Sequence, residues 1–114
     1  MITKTTVKLD GLRHEMFHVC GMVDAAFIEI AVKPAVLTSA LDSHADRPTS
    51  LHIKGLACDF RTRHISITHA QEILAWLKVH LDPLGYDSIL ESDHLHVEFQ
   101  PKGNECLFRC EGNA

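Results

Sequence analysis

The sequence predicts an α+β domain in which helices pack on a small, mainly antiparallel sheet. Apolar residues recur every three or four positions in two segments, which indicates two amphipathic helices. Short segments of alternating apolar and polar residues, bounded by Gly, Pro, Asp and Ser, have the pattern of strands. With 114 residues, 46% of them hydrophobic and 23% charged, the chain has the size and composition of a single globular domain spanning residues 1–114.

The first helix is predicted over residues 10–31, with Asp10 as its N-cap and Pro34 beyond its end. The apolar face of this helix is formed by Leu12, Met16, Cys20, Val23, Phe27 and Ile30. The segment "AVLTSAL" then has the character of a short buried strand, and the polar segment "DSHADRPTS" that of a loop.

The second helix is predicted to begin at a capping box formed by Thr68 and Gln71, and to end before Pro83 and Gly85. The segments "YDSILE" and "HLHVEF" follow as two strands separated by two residues, which predicts a hairpin. The order of elements is therefore helix, strand, loop, strand, helix and hairpin.

Charge and hydropathy exclude several classes of protein. The net charge is −4, from 11 basic and 15 acidic residues, and no long basic run offers a nucleic-acid surface. No secretory signal is recognisable and no run of 18 apolar residues occurs, so we expect no membrane span and a cytoplasmic location on synthesis. In that compartment the four cysteines are expected to be free thiols.

The stretch "SLHIKGLACD" places His52 and Asp59 seven positions apart with Gly55 between them. Alternation along a strand turns Ala57, Asp59 and Arg61 to the open face of the sheet, and small Ala57 would leave space there for an ion or substrate. Gly55 permits backbone conformations that bend the chain and bring His52 to Asp59. The remaining positions of this strand face the core: Leu56, Cys58 and Phe60.

The stretch "ESDHLH" forms a second cluster. A two-residue turn at 92–93 would make Glu91 and His94 a cross-strand pair, with Cβ atoms about 4.5 to 5.5 Å apart. His96, two residues farther along the strand, would face the same side, opposite Ile89.

These residue types fit a catalytic zinc site. Two imidazoles and a carboxylate, from His52, His94 and Asp59, supply three ligands and leave the fourth position for water. Zinc lowers the pKa of such a water to about 7, and Glu91 beside it would take the proton as hydroxide attacks a carbonyl and pass it to the leaving amine.

The pattern S-x-H-x-x-G-x-A-x-D at residues 50–59, followed by E-x-x-H at 91–94, resembles the zinc peptidases of the D-alanyl-D-alanine carboxypeptidase and dipeptidase group. That group includes phage endolysins that cut L-alanyl-D-glutamate bonds, and it shares its fold with the hedgehog signalling domain. The resemblance covers residues 36–98 and is closest to short phage or prophage members; the segment 101–114 is polar and is expected to be a peripheral tail. It implies hydrolysis of peptidoglycan peptides and, for a lysin, access to the cell wall through a disrupted host membrane.

Carried over by position, the resemblance implies that zinc is bound by His52, Asp59 and His94, that Glu91 is the general base and acid, and that Ser50 helps to hold the substrate. Related enzymes also use an H-x-H pair in which the second histidine is the ligand, which makes His96 the alternative to His94.

The family often carries an arginine upstream of the serine, and "VLTSALDSH" contains none. Arg61 is a possible substitute, so Arg61 and His96 join Ser50 as candidate substrate-binding residues. Two other functions remain open: a phage structural or interaction module that keeps zinc without catalysis, and a thiol-based redox or structural-zinc protein using Cys106 and Cys110.

Overall fold

The computed structural model describes residues 1–40 and 55–100, which form two helices and a five-stranded sheet. The helices are α1 (His14–Ala31) and α2 (Ile67–Leu81). The strands are β1 (Ile2–Thr3), β2 (Val36–Ser39), β3 (Ala57–Arg61), β4 (Tyr86–Leu90) and β5 (His94–Phe99). The predicted α+β class is confirmed.

The strands lie in the order β1-β2-β3-β5-β4, so that β3 is the central strand. The pairs β2·β3, β3·β5 and β4·β5 are antiparallel, as predicted, whereas β1 pairs with β2 in parallel and makes the sheet mixed. Strand β1 was not predicted because a segment of two residues is too short to show alternation.

One face of the sheet packs against the helices and forms the core. Alternation along β3 and β5 turns Cys58, Phe60, Leu95 and Val97 inward, and all four are buried. The helices contribute the largest remaining part of this core: Met16, Val19, Val23, Phe27, Ile73, Leu77 and Leu81. The opposite face of β3 and β5 is therefore left for polar side chains.

Helix α1 begins later than predicted. It starts at His14, with Arg13 as its N-cap, whereas Asp10 lies outside the helix. Gly11 has a φ of 84°, a left-handed conformation that interrupts the helical path after Asp10. The Arg13 amide donates a hydrogen bond of 3.0 Å to the Gly55 carbonyl, so the start of α1 is tied to the segment that precedes β3.

Helix α2 begins slightly earlier than predicted. Its N-cap is Ser66, whose Oγ accepts a hydrogen bond of 3.0 Å from the His69 amide, so the capping-box assignment to Thr68 was wrong. The helix is followed by a 3-10 turn at Asp82–Leu84 and by Gly85 at a φ of 94°. Within the described ranges, neither helix combines the length and hydropathy that a membrane crossing needs.

Candidate metal centre

The face of β3 and β5 that lies away from the helices gathers most of the predicted site residues. In the antiparallel register Asp59 lies opposite His96, and Arg61 lies opposite His94. All four side chains are on the face away from the helices, as the alternation predicts. Glu98, two residues beyond His96, shares this face. The polar site is thus built on two hydrogen-bonded strands in the middle of the sheet.

Asp59 and His96 are in direct contact. The His96 Nδ1 donates to Asp59 Oδ1 at 2.7 Å, and its Nε2 donates to Glu98 Oε1 at the same distance. Ionised carboxylates only accept, so His96 carries both ring protons when it makes both bonds. The hydrogen bond to Asp59, assisted by Glu98 and opposed by partial burial, raises the pKa of His96 to about 9.

His94 and Glu91 form the cross-strand pair that the sequence predicts at the hairpin. The Glu91 amide donates to the His94 carbonyl at 2.8 Å, and His94 Nε2 lies 2.6 Å from Glu91 Oε1. The other ring nitrogen, Nδ1, lies 2.7 Å from Asp93 Oδ1. Partial burial opposes the charged form, but the Asp93 hydrogen bond and the neighbouring carboxylates outweigh it and raise the pKa of His94.

The two histidines stand differently toward Asp59. His96 Nδ1 is 2.7 Å from Asp59 Oδ1, whereas His94 Nε2 is 3.8 Å from the same oxygen. The ring nitrogen of His94 that faces the site is instead occupied by Glu91. Two pairs result, Asp59 with His96 and Glu91 with His94.

Gly55 adopts the bend that the sequence suggests, with a φ of 73°. A β-carbon at this position would collide with the carbonyl oxygen of Gly11, so a side chain is excluded by space as well as by conformation. The predicted ligand His52 and the predicted substrate residue Ser50 lie outside the described residues.

The expectation for Ala57 was wrong. Its methyl group has no exposed surface, so it does not leave an open space beside Asp59. Ala57 lies directly across from Glu98, and because cross-strand neighbours share a face of the sheet, the longer side chain of Glu98 flanks the methyl group.

An open groove of about 270 Å³ lies beside Asp59 and His94. It is lined by basic, acidic and hydroxyl side chains: Lys4, Thr38, Asp59, Arg61, Arg63, Asp93 and His94. The sequence pointed to Asp59, Arg61 and His94 but not to the others. Alternation on β5 would have placed Glu98 beside His96, whereas nothing local in the sequence indicates that Lys4 reaches this groove.

Two of the four cysteines lie within the described residues. Cys20 and Cys58 are buried thiols, and a hydrogen bond from Cys58, opposed by burial, lowers the pKa of Cys20. Cys106 and Cys110 lie outside the described residues. In the ranges 1–40 and 55–100 taken alone, no three His, Cys, Asp or Glu side chains are grouped as a metal site.

The chain matches no protein-family model, no curated protein and no solved structure.

Proposed function

We propose that this chain is a zinc-dependent peptidase that hydrolyses amide bonds in bacterial peptidoglycan peptides, next to D-Ala or between L-Ala and D-Glu. The observation that carries the proposal is the placement of Asp59 against His96, with the Glu91–His94 pair beside them on the same sheet face. The motif at residues 50–59 supplies the remaining ligand, His52.

The donor set fits zinc. Imidazole nitrogen and carboxylate oxygen are ligands that catalytic zinc sites use. A metal-binding histidine generally has its second ring nitrogen held by a carboxylate, which fixes the ring. His96 has this arrangement, because its Nε2 lies 2.7 Å from Glu98 Oε1. Asp59, His96 and Glu98 all stand on β3 and β5.

We assign the three ligands as His52, Asp59 and His96, the last in place of His94. Asp59 Oδ1 and His96 Nδ1 already lie 2.7 Å apart. Loss of the proton from His96 Nδ1 would leave both atoms able to bind one metal ion. The nearest carboxylate to His94 Nε2 is Glu91, which the chemistry needs as an unligated base.

Zinc, when bound, supplies a Lewis acid that brings the pKa of a water to about 7 and polarises the scissile carbonyl. The role of Glu91 is to accept a proton at its carboxylate and to return it to the leaving amine. His94 holds Glu91 through the 2.6 Å contact and is itself held by Asp93, which orients the base. The groove beside Asp59 offers space for the peptide.

The test is the Glu91→Gln variant. We expect it to retain zinc and to lose hydrolysis by about 10² to 10⁴-fold, the usual contribution of a general base. Release of soluble peptides from purified sacculi and metal content per chain are the two measurements. Glu72→Gln, an exposed carboxylate on α2, is the matched control and should keep full activity. Undiminished hydrolysis by Glu91→Gln would refute the assignment.

A second function remains specific enough to propose: a phage structural or interaction module of the same fold that binds zinc and lacks catalysis. The absence of an arginine in "VLTSALDSH" favours it. A wild-type protein that holds one zinc ion and releases no peptide from sacculi would support this alternative over the peptidase.

A further inference from the structure

The groove beside the metal centre carries an excess of positive charge. Lys4, Arg61 and Arg63 line it together with the carboxylates of Asp59 and Asp93. Both carboxylates are already bonded to imidazoles, Asp59 to His96 and Asp93 to His94. The local balance is therefore positive in a chain whose net charge is −4.

The three cations reach the groove from separate parts of the fold. Lys4 follows β1 and is fixed by its amide, which donates 3.0 Å to the Leu37 carbonyl. Arg61 stands on β3, two residues from Asp59 on the same face. Arg63 lies in the turn after β3, where the Thr62 amide donates 3.2 Å to the Asp93 carbonyl.

None of these cations is neutralised within the described part of the chain. Among residues 1–40 and 55–100, no carboxylate lies within 4.0 Å of a side-chain nitrogen of Lys4, Arg61 or Arg63. Arg63 affects Asp93 only through its charge. It lowers the pKa of Asp93, but by less than the hydrogen bond between Asp93 and His94 does. Unpaired guanidinium groups bind carboxylates in a bidentate manner, and Thr38 adds a hydroxyl to the same groove.

We propose that Lys4, Arg61 and Arg63 form a binding site for a carboxylate of the substrate peptide, next to the bond that is cut. This inference rests on the proposed peptidase function and specifies its substrate class: peptides with a free carboxylate close to the scissile amide. Two sources supply that chemistry in wall peptides, the C-terminal carboxylate of D-Ala and the α-carboxylate of a γ-linked D-Glu.

The test measures binding to metal-free protein, so that it does not depend on turnover. N-acetyl-D-alanyl-D-alanine and its C-terminal amide form one pair of ligands for calorimetry. N-acetyl-L-alanyl-D-glutamate with its γ-carboxyl group amidated, as the free α-acid and as the α-amide, forms the second pair. We expect the free acid to bind about tenfold more tightly than the amide in at least one pair, since the charge-assisted bonds are lost in the amide. The pair that shows the difference identifies the source.

Three variants assign the effect to the groove. Arg61→Gln, Arg63→Gln and Lys4→Gln should each weaken binding of the acid by about three- to tenfold, because exposed ion pairs contribute modestly, and should leave binding of the amide unchanged. Lys78→Gln, an exposed cation on α2, is the control and should change neither. Equal binding of acid and amide in both pairs, or an equal loss in Lys78→Gln, would overturn the carboxylate site.

The two proposals fail separately. Equal binding of acid and amide, together with hydrolysis that depends on Glu91, would refute only the carboxylate site. A retained acid preference without any hydrolysis would refute only the peptidase.

Discussion

Asp59 and His96 face each other across the central strand pair, with 2.7 Å between Oδ1 and Nδ1. Both side chains are mostly enclosed, at 19% and 18% exposure, and the second ring nitrogen of His96 is fixed by Glu98. Such a pair is rigid because both residues stand on paired strands and neither depends on a loop for its position.

The ligand assignment predicts a difference between two histidine variants. His96→Gln should lower zinc affinity by roughly a hundredfold or more, because it removes a ligand. His94→Gln removes only a supporting contact and should lower the affinity by about tenfold, and by about a hundredfold at most. Competition titration with a zinc chelator measures both affinities. Greater zinc loss in His94→Gln than in His96→Gln would restore His94 as the ligand.

The metal-free protein should lose stability as the pH rises through about 9. The pKa of His96 is raised from 6.5 to about 9 in the folded state, so its protonated form favours folding. That contribution is fully present below pH 6.5 and is lost above the folded pKa, and the shift corresponds to on the order of 3 kcal/mol. Urea unfolding in excess EDTA between pH 6 and 10 measures it.

The control for this pH dependence is His96→Gln. It should show a smaller fall in the free energy of unfolding over the same range, because the titrating group is gone. An identical fall in the two proteins would contradict the role of His96.

Gly55→Ala should destabilise the fold by about 2 kcal/mol or more. The new β-carbon collides with the Gly11 carbonyl oxygen, and a φ of 73° is unfavourable for any residue with a side chain. Gly21→Ala is the matched control, because no atom lies within 4 Å of its added β-carbon and its position is in α1. That control should stabilise the protein by about 0.5 to 1 kcal/mol. Thermal unfolding of both variants decides the matter.

Ser66→Ala should lower the free energy of unfolding by about 1 kcal/mol, because the His69 amide loses its hydrogen-bond acceptor. Thr68→Ala lies inside α2 and should change stability by less than about 0.5 kcal/mol. If Thr68→Ala proved the more damaging of the two in urea unfolding, the helix would begin at the capping box of the sequence pattern.

The hairpin shows what local pattern can predict. Alternation and the two-residue turn placed Glu91 against His94 and Ile89 against His96, and the register has both relationships. These are contacts between residues close in sequence, where periodicity fixes both the face and the partner. The same alternation separated Cys58 and Phe60 from Asp59 on β3.

The errors arose where distant segments decide the outcome. The start of α1 is displaced from Asp10 because Gly11 takes a left-handed conformation against Gly55, a contact across more than forty residues of sequence. Lys4 enters the groove only because β1 pairs with β2. Composition and spacing carry no signal for such long-range pairing.

The shortness of β1 has a consequence for how the groove responds to temperature. The strand holds two residues at the edge of the sheet and is held there by hydrogen bonds from the Ile2 amide to the Ala35 carbonyl at 2.8 Å and from the Lys4 amide to the Leu37 carbonyl at 3.0 Å. Segments that are held by so few hydrogen bonds unfold locally before the whole domain unfolds. Mild warming would then release Lys4 from the groove while Asp59 and His96 on β3 and β5 keep their arrangement, so that the proposed carboxylate site and the proposed metal centre would be lost at different temperatures.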